Sequence, residues 1–295
     1  MPQLVFVHGR SQENKQASDL KAEWLRALDA GLAKSNLSLP IPKRQVRFPY
    51  YGQTLFDLAS GVEPEEAAKI IVRGAADDAR ERAFMISVLR EVQEKAGISD
   101  EQIRELTGED EEVIQRGVLN NRFVMGLLRG IDRYVPGGSG TAIGLATKDV
   151  YAYISNPALR ARINEGVRAA MKPGVPTVVV AHSLGTVVAY TLLKEEGKAN
   201  NWDVPLLVTL GSPLSVTAIK KAVAPNKHPQ CVGKWLNALD PRHTVALYPL
   251  DKPNFPIDPT IENRLDIHNS TENRQGISGY LADEQVAKRI HDALR

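Results

Sequence analysis

Residues 177–185 read Thr-Val-Val-Val-Ala-His-Ser-Leu-Gly, a β-branched apolar run that passes directly into a serine and a small-residue turn. Val178, Val179 and Val180 are apolar on both alternating faces, which suits a central parallel strand covered by helices on each side. Beyond Gly185, residues 186–194 (Thr-Val-Val-Ala-Tyr-Thr-Leu-Leu-Lys) have the apolar content of a largely buried helix. A serine at such a strand-to-helix junction takes a strained backbone conformation, and its neighbours two positions away must be small for strand and helix to approach. Ala181 and Gly185 occupy those positions, with alanine where G-x-S-x-G has its first glycine.

The rest of the chain supplies partners for that strand. Further strand-like segments fall at 3–7, 45–50, 204–210 and 232–239, and helical stretches separate them. This alternation predicts an α/β fold: a mostly parallel sheet with helices on both faces. Residues 20–34 form a first crossover helix with Leu20, Trp24, Leu25, Leu28 and Leu32 at helical spacing, and 283–294 form the closing helix. Between 55 and 146 strand signals vanish and charged helical segments take over, at 77–96, at 99–106 opening on Ser99 or Asp100, and at 110–134. The expected organisation is therefore a core of residues 1–54 and 147–295 with a helical insertion of residues 55–146. Pro136-Gly137-Gly138-Ser139-Gly140 breaks the helical pattern near its end and offers a hinge. The insertion is either a cap over the active-site end or a structural appendage or dimerisation arm, the latter making the chain a homo-oligomer.

Composition narrows the function classes. The 295 residues carry 37 basic and 35 acidic side chains, a formal charge of +2, which calls for no nucleic acid or acidic polymer as partner. Cys231 is the one cysteine, so neither an internal disulfide nor a cysteine-based metal cluster can form, and it reads as a small core residue. No H-E-x-x-H pair, carboxylate cluster, phosphate loop or G-x-G-x-x-G after the first strand is present, so neither a metal nor a nucleotide cofactor is expected. The chain enters its first strand without a secretory n-region, and no stretch reaches the ~20 apolar residues of a membrane span. A cytoplasmic protein with no transmembrane segment is the expectation.

The first strand ends in Val7-His8-Gly9-Arg10-Ser11. At the carboxyl edge of a parallel sheet, a strand emptying into His-Gly places the next backbone N–H groups beside the serine of the strand-to-helix turn, where an oxyanion would develop if that serine is a nucleophile. The amides of Arg10 and Leu184 are the expected donor pair, with Ser11 close by.

With Phe6-Val7-His8-Gly9, Ala181-His182-Ser183-Leu184-Gly185 and Leu210-Gly211-Ser212-Pro213-Leu214 in this order, the chain resembles an α/β-hydrolase of the esterase/lipase type. The resemblance covers about 200 residues of core and omits the insertion; with the His-Gly strand read as the first, the family's opening antiparallel strands are not expected. It implies a Ser183 nucleophile, an acid after a late strand and then a histidine, in that chain order. The acid is Asp240, in Asp240-Pro241 after the strand at 232–239; a turn or helix cap is its alternative role. Relatives often carry a second aspartate three residues on, where this chain has His243.

The histidine of such a triad usually lies in the loop before the closing helix, here 261–280, and His268 is the one histidine within it. Yet related hydrolases carry histidine just before Gly-Ile, and in Asn273-Arg274-Gln275-Gly276-Ile277 that position is Gln275, which has no titratable group to act as base. Two readings stay open. Either His268 completes a serine hydrolase of small or lipid esters, or the chain is an impaired hydrolase that serves as a binding or interaction module. Acyl transfer to an acceptor other than water would use the same residues. Ala83, Phe84, Ile86, Val88, Leu89 and Val92, with Phe123–Met125, Leu127 and Leu128, either line an acyl channel or form the insertion's own core.

Overall fold

The computed structural model describes residues 1–9, 16–51, 79–107, 121–135, 138–271 and 276–295. Their strands are β1 (Gln3–Val7), β2 (Val46–Arg47), β3 (Thr177–His182), β4 (Val204–Leu210), β5 (Val232–Ala238) and β6 (Glu262–Arg264). They form one sheet in the order β2-β1-β3-β4-β5-β6, and every neighbouring pair is parallel. The fold is α/β, as the alternating segments predict. β3 is buried along its whole length between β1 and β4.

Parallel neighbours require crossovers; helices lie in each of them except that from β5 to β6, where residues 239–261 cross as turns and loop. α1 (Ala17–Ala33) links β1 to β2. The chain then passes through α2 (Ala79–Lys95), α3 (Asp100–Thr107), α4 (Asn121–Tyr134), α5 (Gly140–Ser155) and α6 (Pro157–Ala170) before β3. α7 (Leu184–Glu196) follows β3, α8 (Thr217–Ala222) follows β4, and α9 (Ile277–Leu281) and α10 (Glu284–Ala293) close the fold.

Alternation along the strands separates two packed layers. Leu4, Phe6, Val178, Val180 and Val208 meet Trp24 and Leu28 of α1 and Val286 and Ile290 of α10. Val5, Val7, Val179 and Ala181 face the other way, against Val187 and Val188 of α7 and the apolar sides of α2, α4 and α5, including Leu89, Leu127 and Ile143. The apolar positions of α2 and α4 proposed above for an acyl channel are mostly buried in this second cluster; Phe84 and Met125 pack against it half-buried, and Ala83 is exposed.

The direction of the crossovers locates the working edge of the sheet. β1 leaves through α1, in the first layer, towards β2; β3 leaves through α7, in the second layer, towards β4. The strand order therefore reverses between β1 and β3. At such a switch point the connections diverge and leave a crevice at the carboxyl ends of the two strands.

Local signals explain several helix boundaries. α3 opens with a reciprocal capping box: the Gln102 N–H donates to Ser99 Oγ at 3.2 Å and the Ser99 N–H donates to Gln102 Oε1 at 2.8 Å. Asn156 caps α6 ahead of Pro157, and Asp283 caps α10. α5 runs continuously across position 146, where the sequence reading sets the end of the insertion. Residues 52–78 and 108–120, which make up much of that insertion, lie outside the described residues.

Candidate active site

Ser183 stands at the switch point. β3 ends at His182 and α7 begins at Leu184, which leaves Ser183 as the whole turn, with φ 52° and ψ −126°. That backbone region strongly favours glycine, and a side chain there costs about 1–3 kcal/mol. Bonds on both sides hold it. The Ser183 N–H donates to the Leu210 carbonyl of β4 at 3.0 Å, while the Thr186 N–H and Oγ1–H both donate to the Ser183 carbonyl, at 2.9 and 2.7 Å. Thr186 Oγ1 also meets Ser212 Oγ at 2.9 Å, tying the turn to the Gly-Ser-Pro-Leu element after β4.

Two glycines make this geometry possible. A Cβ on Gly185 would fall 2.2 Å from the Val7 carbonyl oxygen and 2.5 Å from that of His8, so the first turn of α7 touches the backbone leaving β1. A Cβ on Gly9 would fall 2.9 Å from Ser183 Cβ and 3.4 Å from Ser183 Oγ. The ends of β1 and β3 are thus in van der Waals contact at the serine. Leu184, the first residue of α7, has an N–H without an acceptor inside the helix, as first-turn amides do. Arg10, the other expected oxyanion donor, and Ser11 lie outside the described residues.

Asp240 occupies the place the sequence reading gives it, two residues beyond the end of β5, and is fully buried. Its carboxylate is already occupied. Oδ1 accepts from the Arg242 N–H at 2.9 Å and from Arg242 Nε at 3.0 Å; Oδ2 accepts from Arg242 Nη2 at 2.8 Å and from the Asn269 N–H at 2.9 Å. Burial pushes this carboxyl up, but the bonds from Arg242 and Asn269 outweigh it and hold the pKa at about 2. Arg242 is the partner that sequence reasoning missed: a guanidinium two residues from an aspartate carries no periodic or motif signal.

His268 is exposed, and its Nδ1 lies 3.2 Å from the Asp266 carbonyl. It borders a cleft of about 480 Å³ lined also by Lys34, Asp266, Ser270, Ser278 and Asp283, between the end of α1 and the start of α10. Its neighbours Ile267 and Asn269 are buried, the first in the layer of α1 and α10, the second against Asp240. Gln275 lies outside the described residues.

The remaining histidines are engaged elsewhere. The ring of His182 lies in the layer opposite α7, with centroids 6.2 Å from Trp24 and 6.0 Å from Tyr280. His243 is buried after Asp240, and its Nδ1 accepts from the Val245 and Ala246 N–H groups at 3.1 and 3.0 Å. Burial first, and then the neighbouring His182, lowers its pKa to about 3. His228 Nδ1 lies 3.2 Å from the Pro229 carbonyl, and His291 Nδ1 lies 3.0 Å from Asp292. Burial raises the pKa of the Cys231 thiol to about 11, so the thiol stays protonated at neutral pH.

His8 is fully buried beside the serine turn. Its ring stacks on Tyr51, with centroids 4.0 Å apart, and on Phe48 at 5.5 Å. The Tyr51 N–H donates to His8 Nε2 at 3.1 Å, His8 Nδ1 lies 2.8 Å from the Gly9 carbonyl oxygen, and the Tyr51 hydroxyl donates to the His8 carbonyl. Burial lowers its pKa to about 4, against a smaller opposing effect of the Gly9 carbonyl.

Among the described residues no group of three or more His, Cys, Asp or Glu side chains could hold a metal ion, and no helix is long and apolar enough to cross a membrane. No protein-family model matches the chain, and a search of curated proteins finds no match either.

Proposed function

We propose that the protein is a serine hydrolase of the α/β-hydrolase kind that cleaves carboxylic esters through an acyl-enzyme on Ser183. The observation that carries this reading is the backbone of Ser183, held at φ 52° and ψ −126° between a central strand and a helix, with glycines at both contacts. Strain of that kind persists only where the surroundings enforce it, and it concentrates at functional sites. The all-parallel order and the position of the serine at its switch point support the same reading.

In the proposed reaction, Ser183 Oγ attacks the ester carbonyl carbon while a general base accepts its proton. The carbonyl oxygen becomes an oxyanion that receives hydrogen bonds from the amides of Leu184 and Arg10. Collapse breaks the carbon–oxygen bond to the alcohol, which leaves with the proton from the base. Water then attacks the acyl-enzyme, gives its proton to the base, and releases the acid with Ser183 restored. His268 is the proposed base and Asp240 the acid that orients it. For that pair to form, Arg242 has to give up part of the Asp240 carboxylate and the loop carrying His268 has to turn inward.

The second reading, an impaired hydrolase that binds without turnover, is favoured by the occupied state of Asp240 and the outward position of His268. The helical insertion is proposed as the element that shapes access to the serine. One experiment tests the nucleophile under either reading: a fluorophosphonate probe should label Ser183, and Ser183→Ala should abolish the label. Labelling of another serine in an unaltered protein would overturn the assignment.

A further inference from the structure

Two hydroxyls stand behind the serine turn, each with a single proton, and their contacts fix where each proton goes. Thr186 Oγ1 lies 2.7 Å from the Ser183 carbonyl oxygen and 2.9 Å from Ser212 Oγ. A carbonyl can only accept, so the Thr186 proton is on the contact to Ser183. Ser212 Oγ–H must then donate to Thr186 Oγ1, while Ser212 Oγ accepts the Leu214 N–H at 3.3 Å. The bonds run in one direction, from the Leu214 amide through Ser212 and Thr186 to the Ser183 carbonyl, and each polarises the next. Thr186 and Ser212 are buried, so water does not compete for these positions.

The segment that supplies Ser212 is itself anchored. Ser215 Oγ–H donates to the Tyr248 carbonyl at 2.8 Å, and the Thr217 N–H donates to the Glu91 carboxylate of α2 at 2.9 Å. Ser212 is therefore a fixed prop for Thr186, held from the β5–β6 crossover on one side and from the insertion on the other.

The Ser183 carbonyl matters through the other end of its peptide bond. The Thr186 N–H, at 2.9 Å, and the Thr186 hydroxyl draw this carbonyl into the first turn of α7. The peptide group is planar and trans, so the Leu184 N–H points the opposite way, out of the N-terminal end of α7. At that end Gly185 meets the Val7 and His8 carbonyls and Gly9 meets Ser183. In the hydrolase reading the Leu184 N–H is an oxyanion donor.

We propose that Thr186 and Ser212 are positioning residues: the Thr186 hydroxyl fixes the plane of the Ser183–Leu184 peptide and so aims the Leu184 N–H at the oxyanion that forms at Ser183, and Ser212 keeps that hydroxyl turned to its task. Neither touches substrate. A peptide held at one point only could swing as the strained turn relaxes, whereas one held at two presents its amide without reorganisation as charge develops. The inference rests on the hydrolase reading.

Two substitutions at one position separate the hydroxyl from the packing. Thr186→Val keeps the branched shape and loses the hydroxyl; Thr186→Ser keeps the hydroxyl and loses a buried methyl. With a short activated ester, Thr186→Val is expected to lose kcat by about 10-fold or more with little change in KM, part of the ~10²–10³-fold that a whole oxyanion donor supplies. Affinity for an alkyl boronic acid and the rate of fluorophosphonate labelling, which place a negative oxygen at the same point, should fall in parallel. Thr186→Ser should keep most of all three while unfolding at lower urea, because it leaves a gap in the core. Ser212→Ala, which frees the Thr186 hydroxyl to turn, should fall in the same direction as Thr186→Val. A Thr186→Val protein with wild-type kcat and labelling rate, or a Thr186→Ser protein that loses as much as Thr186→Val, would overturn the proposal while Ser183 labelling of the wild-type chain still stood; an unaltered Ser212→Ala would overturn the part given to Ser212. Absence of that label in the wild-type chain would instead remove the hydrolase reading itself. Should the variants fail to fold, neutron diffraction from the wild-type chain decides: a deuteron on the line from Thr186 Oγ1 to the Ser183 carbonyl is required, and one on the line to Ser212 Oγ refutes the mechanism.

Discussion

Arg242 closes a fork on Asp240, Nε on one carboxylate oxygen and Nη2 on the other, while two backbone N–H groups fill the remaining positions. A carboxylate presents about four acceptor sites, so a ring N–H can reach Asp240 only by displacing one of these donors. Arg242→Gln is therefore expected to raise ester turnover several-fold, measured as kcat on a p-nitrophenyl ester. Unchanged or lower turnover would make Asp240 an anchor between the loops at 240 and 269. The same variant should lower the melting temperature and move acid unfolding to higher pH, because the folded carboxyl, now at about 2, loses the partner that keeps it ionised.

The strained turn predicts a trade of stability against function. Replacing Ser183 by glycine removes both the proposed nucleophile and the cost of a side chain at φ 52°. Ser183→Gly should gain about 1 kcal/mol in urea unfolding while losing all probe labelling. Gly185→Ala should do the reverse damage, destabilising by about 2 kcal/mol or more, since its Cβ would collide with the backbone oxygens of Val7 and His8 at the end of β1. A Gly185→Ala protein with wild-type stability and labelling would contradict the contact between α7 and β1.

The base is tested by an exchange of residues. If His268 accepts the serine proton, His268→Ala should lower kcat by about 10³-fold or more without unfolding the chain. If the vacated position is that of Gln275, wild-type turnover should be feeble and Gln275→His should raise it steeply, with an apparent pKa near the imidazole value of ~6.5. A His268→Ala protein with unaltered kcat would remove His268 from the reaction.

Two buried imidazoles give the protein an acid-sensitive fold. His8 and His243 have folded pKa values of about 4 and about 3, both below the ordinary 6.5. Their neutral forms favour the native state fully above pH ~6.5, and that contribution is lost as pH falls towards the folded values, because the unfolded chain takes up the protons first. Each histidine contributes on the order of 3 kcal/mol over that range. Urea unfolding at pH 7.5, 6 and 5 should show stability declining below pH ~6.5. His243→Asn, which keeps an acceptor for the Val245 and Ala246 N–H groups, should flatten the decline by roughly half. A wild-type stability that stays level down to pH 5 would contradict the burial of both rings.

The sequence spoke clearly where burial is strongest. Val178, Val179 and Val180 could only belong to a strand covered on both faces, and the apolar spacing of Leu20, Trp24 and Leu28 could only belong to a helix lying on it. β6 gave no such signal and falls inside the segment read as a loop from 261 to 280. Its Glu262, Asn263 and Arg264 are polar, and what makes them a strand is pairing with β5 and a bond from Asn237 Nδ2 to Asn263 Oδ1 at 2.9 Å. Those contacts are tertiary, so no local pattern encodes them. The serine turn divides the same way: Ser183, Gly185 and Gly9 are legible from their setting between strand and helix. The Tyr51–His8 clamp is not, because its partners are 43 positions apart in the chain.

The pairing of β1 with β3 joins residues 174 positions apart, as in the bond from Gln3 Nε2 to Thr177 Oγ1. During synthesis, Leu4, Val5, Phe6 and Val7 leave the ribosome long before the strand that will cover them exists. The centre of the sheet is thus a late event, and the β1 segment waits exposed while the 174 positions up to its partner are made. Such non-local pairing slows folding and leaves a nascent chain open to aggregation. Pulse-labelled hydrogen exchange during refolding should find the β1 and β3 amides gaining protection together, after those of α1. The arrangement that brings Gly9 against Ser183 therefore makes the strained serine turn a late feature, absent from any chain in which β3 has yet to join β1.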